Sequence, residues 1–188
     1  MAGLAGHSGA LDWIISLLAN DFFIPAAMAL IGTGLWFVGK SREQRRLNQM
    51  GFIYAVSGLG ITALIVNFID NHYFRARPFV NFPQLIPQVH RLFYEPTVSS
   101  MPAFPAAITF AFAFGIWLTN RKVGIVLFVM ATLMSLSRII IGIHYPSDIL
   151  AGAAFGVAVT AVIWQLLKHV IRPVADVFLA ILERLYLA

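Results

Sequence analysis

Five apolar stretches, at residues 21–39, 50–69, 102–119, 123–137 and 149–167, dominate this chain of 188 residues. Each runs for about 15–20 residues, enough or nearly enough for a helix to cross a ~30 Å hydrocarbon core at 1.5 Å per residue. The chain is 60% hydrophobic and 11% charged, with mean hydropathy +0.82. An ordinary soluble domain is about 45–50% apolar and about 25% charged, and a soluble fold of this length could not hide the excess. The expected class is therefore all-α, an integral membrane bundle of about five to six transmembrane helices, and the length leaves room for one domain, 1–188.

The flanks are shorter. "LDWIISLLAN" (11–20) reads as an interfacial helix with Trp13 as its anchor. "PVADVFLAILERLYLA" (173–188) reads as an amphipathic C-terminal tail, broken from the preceding helix by Pro173. The N-terminal segment lacks the basic region of a cleavable signal. The absence of cysteine excludes disulfides, thiolate metal sites and a cysteine nucleophile. A net charge of +5 and a pI of about 10.0 would point to nucleic acid in a soluble protein. In a membrane chain, Lys and Arg mark loop orientation or meet anionic headgroups. The partners expected are membrane lipids, with no nucleic acid.

The basic segments alternate along the chain. Lys40, Arg42, Arg45 and Arg46 fall in one, Arg121 and Lys122 in the next, Lys168 and Arg172 in the last. Five spans put all three on one side, and the positive-inside rule makes that side cytoplasmic, together with the C-terminus. Residues 70–101 and 139–148 then face the opposite side of a multi-pass cell-membrane protein.

The unusual polar residues gather on that outer face: Arg75 and Arg77 in "NHYFRARPF", Ser99 and Ser100 before Pro102, and Ser137, Arg138, His144 and Asp148 in "SRIIIGIHYPSD". Ionisable groups at span ends are costly to keep dry and mark a site by default. Arginine forks suit phosphate oxygens. A His followed four residues later by Asp lets the carboxylate hold one ring nitrogen and leave the other as nucleophile or base. Taken singly, an Arg at a span end is more often a snorkelling side chain, and a His–Asp pair more often a structural hydrogen bond than a catalytic one. Convergence of three segments on one face is what favours an anion site.

The segment "SRIIIGIHYPSDILAG" resembles the third signature of the type-2 phosphatidic acid phosphatase superfamily, SR-x5-H-x3-D, at every defining position. The first signature, K-x6-RP, is half kept in "DNHYFRARP", with Arg77 and Pro78 present and Asp70 in place of Lys. The second, PSGH, survives as "PAFP", with Pro102 followed by Ala103, Phe104 and Pro105. The resemblance implies metal-free, cofactor-free phosphate-ester hydrolysis, in which His144 attacks phosphorus to form a phosphohistidine and Asp148 orients its ring. Arg77 and Arg138 bind the phosphoryl oxygens, with Arg138 counted among the catalytic residues. Amides near Ala103 and Phe104, at a helix start, add anion binding.

Pro105 stands where the family keeps the histidine that protonates the leaving group, and such an acid typically contributes about 10²–10⁴-fold. Arg75 and His72 are candidate substitutes for the missing groups, and His90 and Glu95 are further proton sources in the outer segment. A diphosphate substrate would need less help, because phosphate leaves more readily than an alkoxide. The expected function is hydrolysis of a phospholipid or polyprenyl phosphate or diphosphate from the extracytoplasmic side. Two other readings stand beside it. One is a degenerate relative that binds lipid phosphate without turnover. The other is a small transporter, against which the spans show no inverted repeat and no Gly/Pro-broken pair.

Overall fold

A computed structural model describes residues 8–168, and its regular structure there is entirely helical. A chain in lipid must satisfy its backbone polar groups within each segment, and helices do this. The elements are α1 (Gly9–Ala19), α2 (Phe23–Phe37), α3 (Arg42–His72), α4 (Pro78–Asn81), a 3₁₀ turn (Pro83–Leu85), α5 (Ile86–Leu92), α6 (Phe104–Trp117), α7 (Arg121–Ile141) and α8 (Pro146–Leu166). Helices α2, α3, α6, α7 and α8 take one apolar stretch each. The expected tail at 173–188 lies outside the described residues.

Helix lengths refine the expected count of five to six spans. By length and composition α3, α7 and α8 can each cross a membrane, and α1 with α2, bent by 58°, can form a fourth span. The bend has a local cause: the Asn20 side-chain oxygen accepts from the Phe22 and Phe23 amides at 2.8 and 3.1 Å, ending one helix and opening the next. At 14 residues, α6 is only about 21 Å long. Most of the basic segment at 40–48 lies in the 31-residue α3, which opens at Arg42, and the N-cap Ser41 accepts from the Gln44 amide.

Short as it is, α6 is the axis of the bundle, packed against α3, α7 and α8. It is apolar all round, as a helix enclosed by others should be, and nine of its residues are buried. Lipid tails are as apolar as leucine, so helices in a bilayer associate through close packing of small residues. On α8, a Cβ at Gly152 would lie 2.5 Å from the Ala103 carbonyl oxygen, and one at Gly156 would lie 2.1 Å from that of Ala107. Gly156→Ala is therefore expected to cost about 1–3 kcal/mol through overpacking. Gly34→Ala, with nothing within 4 Å of the new methyl, serves as the control. Thermal unfolding in detergent separates the two, and equal melting temperatures would contradict this packing.

Candidate active site

The α7–α8 connection delivers His144. Gly142 ends α7 with φ of 92°, a left-handed cap suited to glycine. Two residues later His144 is buried, 2% exposed, and Pro146 starts α8. From the other side comes Arg77, extended as a residue before proline must be. Its guanidinium turns inward and donates to the Val98, Ser99 and Ile143 carbonyls at 3.0–3.1 Å. The same group approaches His144 Nε2 at 3.1 Å.

These contacts fix the tautomer. His144 Nδ1 lies 3.1 Å from the Ser100 carbonyl oxygen, which can only accept, so Nδ1 carries the hydrogen. Nε2 is left with its lone pair directed at the Arg77 fork, which can only donate. Burial first, then the charges of Arg77 and Arg138, hold the His144 pKa well below the usual histidine range. The imidazole is thus neutral at pH 7, as a nucleophile must be. Burial, reinforced by Arg138, brings Arg77 down to about 10, so it keeps its charge.

Asp148 acts on this ring at one remove. Its carboxylate lies 4.0 Å from Nδ1, beyond hydrogen-bond reach, which departs from the direct orienting bond expected from the spacing. Instead, fully buried Asp148 accepts from the Ser100 hydroxyl, from the Tyr145 amide at 2.9 Å and from Arg75 at 2.6 Å. It pins Ser100, and the Ser100 carbonyl pins the histidine. Arg75, expected as a candidate substitute for a missing group, is committed to Asp148, Ser147 and the face of Tyr145. The other expected substitute, His72, is exposed and bonded to the Phe68 carbonyl.

Arg138 enters from α7, 2% exposed. One amino group donates to the Ala19 carbonyl at 2.7 Å and to Asp21, while its Nε is buried with no partner among the described residues. Asp21 also accepts from the Tyr94 hydroxyl at 2.6 Å. Burial and that bond raise the Tyr94 pKa. Asp21 and Tyr94 were not anticipated: a single acid at the start of an apolar stretch, 117 residues from its Arg partner, leaves no pattern in the sequence.

Arg77, Arg138 and His144 line one cavity of about 420 Å³, bordered also by Asp70, Phe104 and Pro105 and by apolar residues including Phe22, Val98 and Ile108. A larger cavity, about 560 Å³, lies between the other end of α3 and Trp164, and among the described residues its lining has no histidine. Of the two amides expected to bind phosphate, that of Ala103 is already donated to the Asp148 carbonyl, while Phe104 borders the cavity. Among the described residues no group of three or more ligand-type side chains is placed to hold a metal ion.

The family model of the PAP2 superfamily matches residues 51–172, a segment carrying all of these groups except Ala19, Asp21 and Phe22. The chain belongs to the PAP2 superfamily. It is 28% identical over 182 residues to the undecaprenyl-diphosphatase BcrC of Bacillus subtilis, covering 96% of this chain and 87% of that one. It is 27% identical over 165 residues to the putative undecaprenyl-diphosphatase YbjG of Escherichia coli, covering 84% and 77%. The crystal structure of a transmembrane PAP2-type phosphatidylglycerolphosphate phosphatase from Bacillus subtilis superposes with a TM-score of 0.58 at 19% identity, over 91% of this chain and 83% of that one. The PAP2 fold thus accounts for the helix order and for the bringing together of the three signature regions.

Proposed function

We propose that this PAP2 protein hydrolyses a lipid diphosphate, of polyprenyl type, through a phosphohistidine on His144 at the extracytoplasmic face. The observation that carries the reading is the neutral His144, its Nε2 lone pair facing the Arg77 fork inside a cavity shared with Arg138. A terminal phosphate entering there replaces the Arg77–Nε2 contact, gives Arg77 and Arg138 their anion, and brings phosphorus to the nucleophile. The cavity is apolar around its charged end. Ile108 also borders a small apolar cleft lined by Met28, Leu59 and Phe112, a path suited to a hydrocarbon tail. Relatives that cover most of the chain carry the name undecaprenyl-diphosphatase, which favours an isoprenoid diphosphate over a glycerolipid. The basic starts of α3 and α7 lie at the cytoplasmic side by the positive-inside rule.

Pro105, bordering the cavity where the family keeps an acid, favours the second reading, a binder without turnover. Phosphate release by the purified protein from a panel of polyprenyl diphosphate, polyprenyl monophosphate, phosphatidic acid and phosphatidylglycerolphosphate tells the two apart. Release from the polyprenyl diphosphate at least about tenfold faster than from the others is expected. No release from any of the four would leave the binder.

A further inference from the structure

The cavity holds one acid that the mechanism above does not use. Asp70, in the last turn of α3, borders the same space as Arg77, Arg138 and His144. Its Oδ1 is buried and has no hydrogen-bond partner among the described residues. A buried polar atom without a partner is costly and calls for an explanation. The other acidic groups at the cavity are spoken for: Asp21 accepts from Arg138 and from Tyr94, so the Tyr94 proton points at Asp21 rather than at a substrate.

Resting on the phosphohistidine reading, we infer that Asp70 is the catalytic residue that gives the leaving oxygen its proton, doing from the end of α3 what Pro105 at the start of α6 cannot. In the first step His144 Nε2 forms a bond to phosphorus as the bond from phosphorus to the leaving oxygen breaks. That oxygen takes the Asp70 carboxyl proton and departs as the lipid phosphate or alcohol. In the second step water attacks the phosphohistidine, its proton goes to the Asp70 carboxylate, and the P–N bond breaks to return free His144 and inorganic phosphate. The orphan Oδ1 is then satisfied by the substrate oxygen. The charged groups sharing the cavity with Asp70 are Arg77, Arg138 and Asp21, with Tyr94 and His144 titratable; the guanidinium groups bind the anion, Tyr94 donates its proton to Asp21 and His144 is the nucleophile, which leaves Asp70 for the proton transfer.

Leaving-group chemistry tests this. Phosphoenzyme formation would be followed by rapid acid quench for Asp70→Asn and the wild type, on polyprenyl monophosphate and on p-nitrophenyl phosphate. The alkoxide needs a proton and the nitrophenolate does not. Asp70→Asn is expected to slow phosphorylation by the lipid about 10²–10⁴-fold and by the nitrophenyl ester less than about tenfold. Asp70→Glu, which keeps the acid, should recover part of the lipid reaction. Equal losses on both substrates, or no loss on either, would overturn the assignment. A wild type forming no phosphoenzyme with either substrate or with polyprenyl diphosphate would refute the phosphohistidine reading itself, and with it this role.

Discussion

His144→Ala is expected to abolish phosphate release, by about 10⁴-fold or more, while the protein keeps its fold. Removing a nucleophile removes the covalent path, and the remaining binding groups supply only residual catalysis. The side chain borders a cavity, and among the described residues its hydrogen-bond contacts are to Arg77 and the Ser100 carbonyl, so truncation costs two hydrogen bonds rather than a packed core. The pH dependence follows from the same environment. A histidine free in solution protonates near 6.5, whereas burial and two arginines hold His144 neutral well below that. The acid limb of the rate profile should therefore lie below pH 6.5. The unfolded chain takes up its proton first as pH falls, so His144 contributes stability that is present above about 6.5 and is lost as acid is added. Rate and melting profiles between pH 4 and 8 check both expectations, and an acid limb centred on 6.5 would contradict the buried, neutral imidazole.

Arg77→Lys carries the second large effect. The substitution keeps the charge and loses the fork. Arg77 is 5% exposed and satisfies three loop carbonyls besides facing His144; a lysine ammonium reaches at most part of that set. Leaving buried carbonyls unpaired costs about 1–3 kcal/mol. Loss of a placed donor at the developing phosphoryl charge costs about 10²–10³ in rate. Calorimetry in detergent and phosphate release measure the two losses separately. A lysine variant with wild-type rate and melting temperature would mean that the fork neither holds the loop nor meets the phosphate.

Much of this was legible in the sequence, because a bilayer imposes a strong and simple code. Five apolar stretches became five helices, and the R-x5-H-x3-D spacing placed Arg138 in the last turn of α7 and His144 just beyond it. What spacing could not convey was how side chains pair across the bundle. His and Asp four residues apart read as a direct bond, yet Asp148 serves as the N3 residue capping α8 and reaches the ring only through Ser100. Arg75 and Arg77 read alike two positions apart. One is drawn to Asp148 and the other borders the cavity, although residues i and i+2 of a regular extended strand would share a face. Asp70 read as a damaged lysine position, and only the unpartnered Oδ1 of a residue lining the cavity of His144 gives it a chemical use.

Rapid acid quench with terminally labelled polyprenyl diphosphate, followed by mapping of the labelled peptide, is the most direct measurement. Acid-labile, base-stable phosphate on His144 is predicted, absent from His144→Ala and decaying at the rate of phosphate release. Undiminished turnover by His144→Ala, or label on another residue, would contradict a nucleophilic His144.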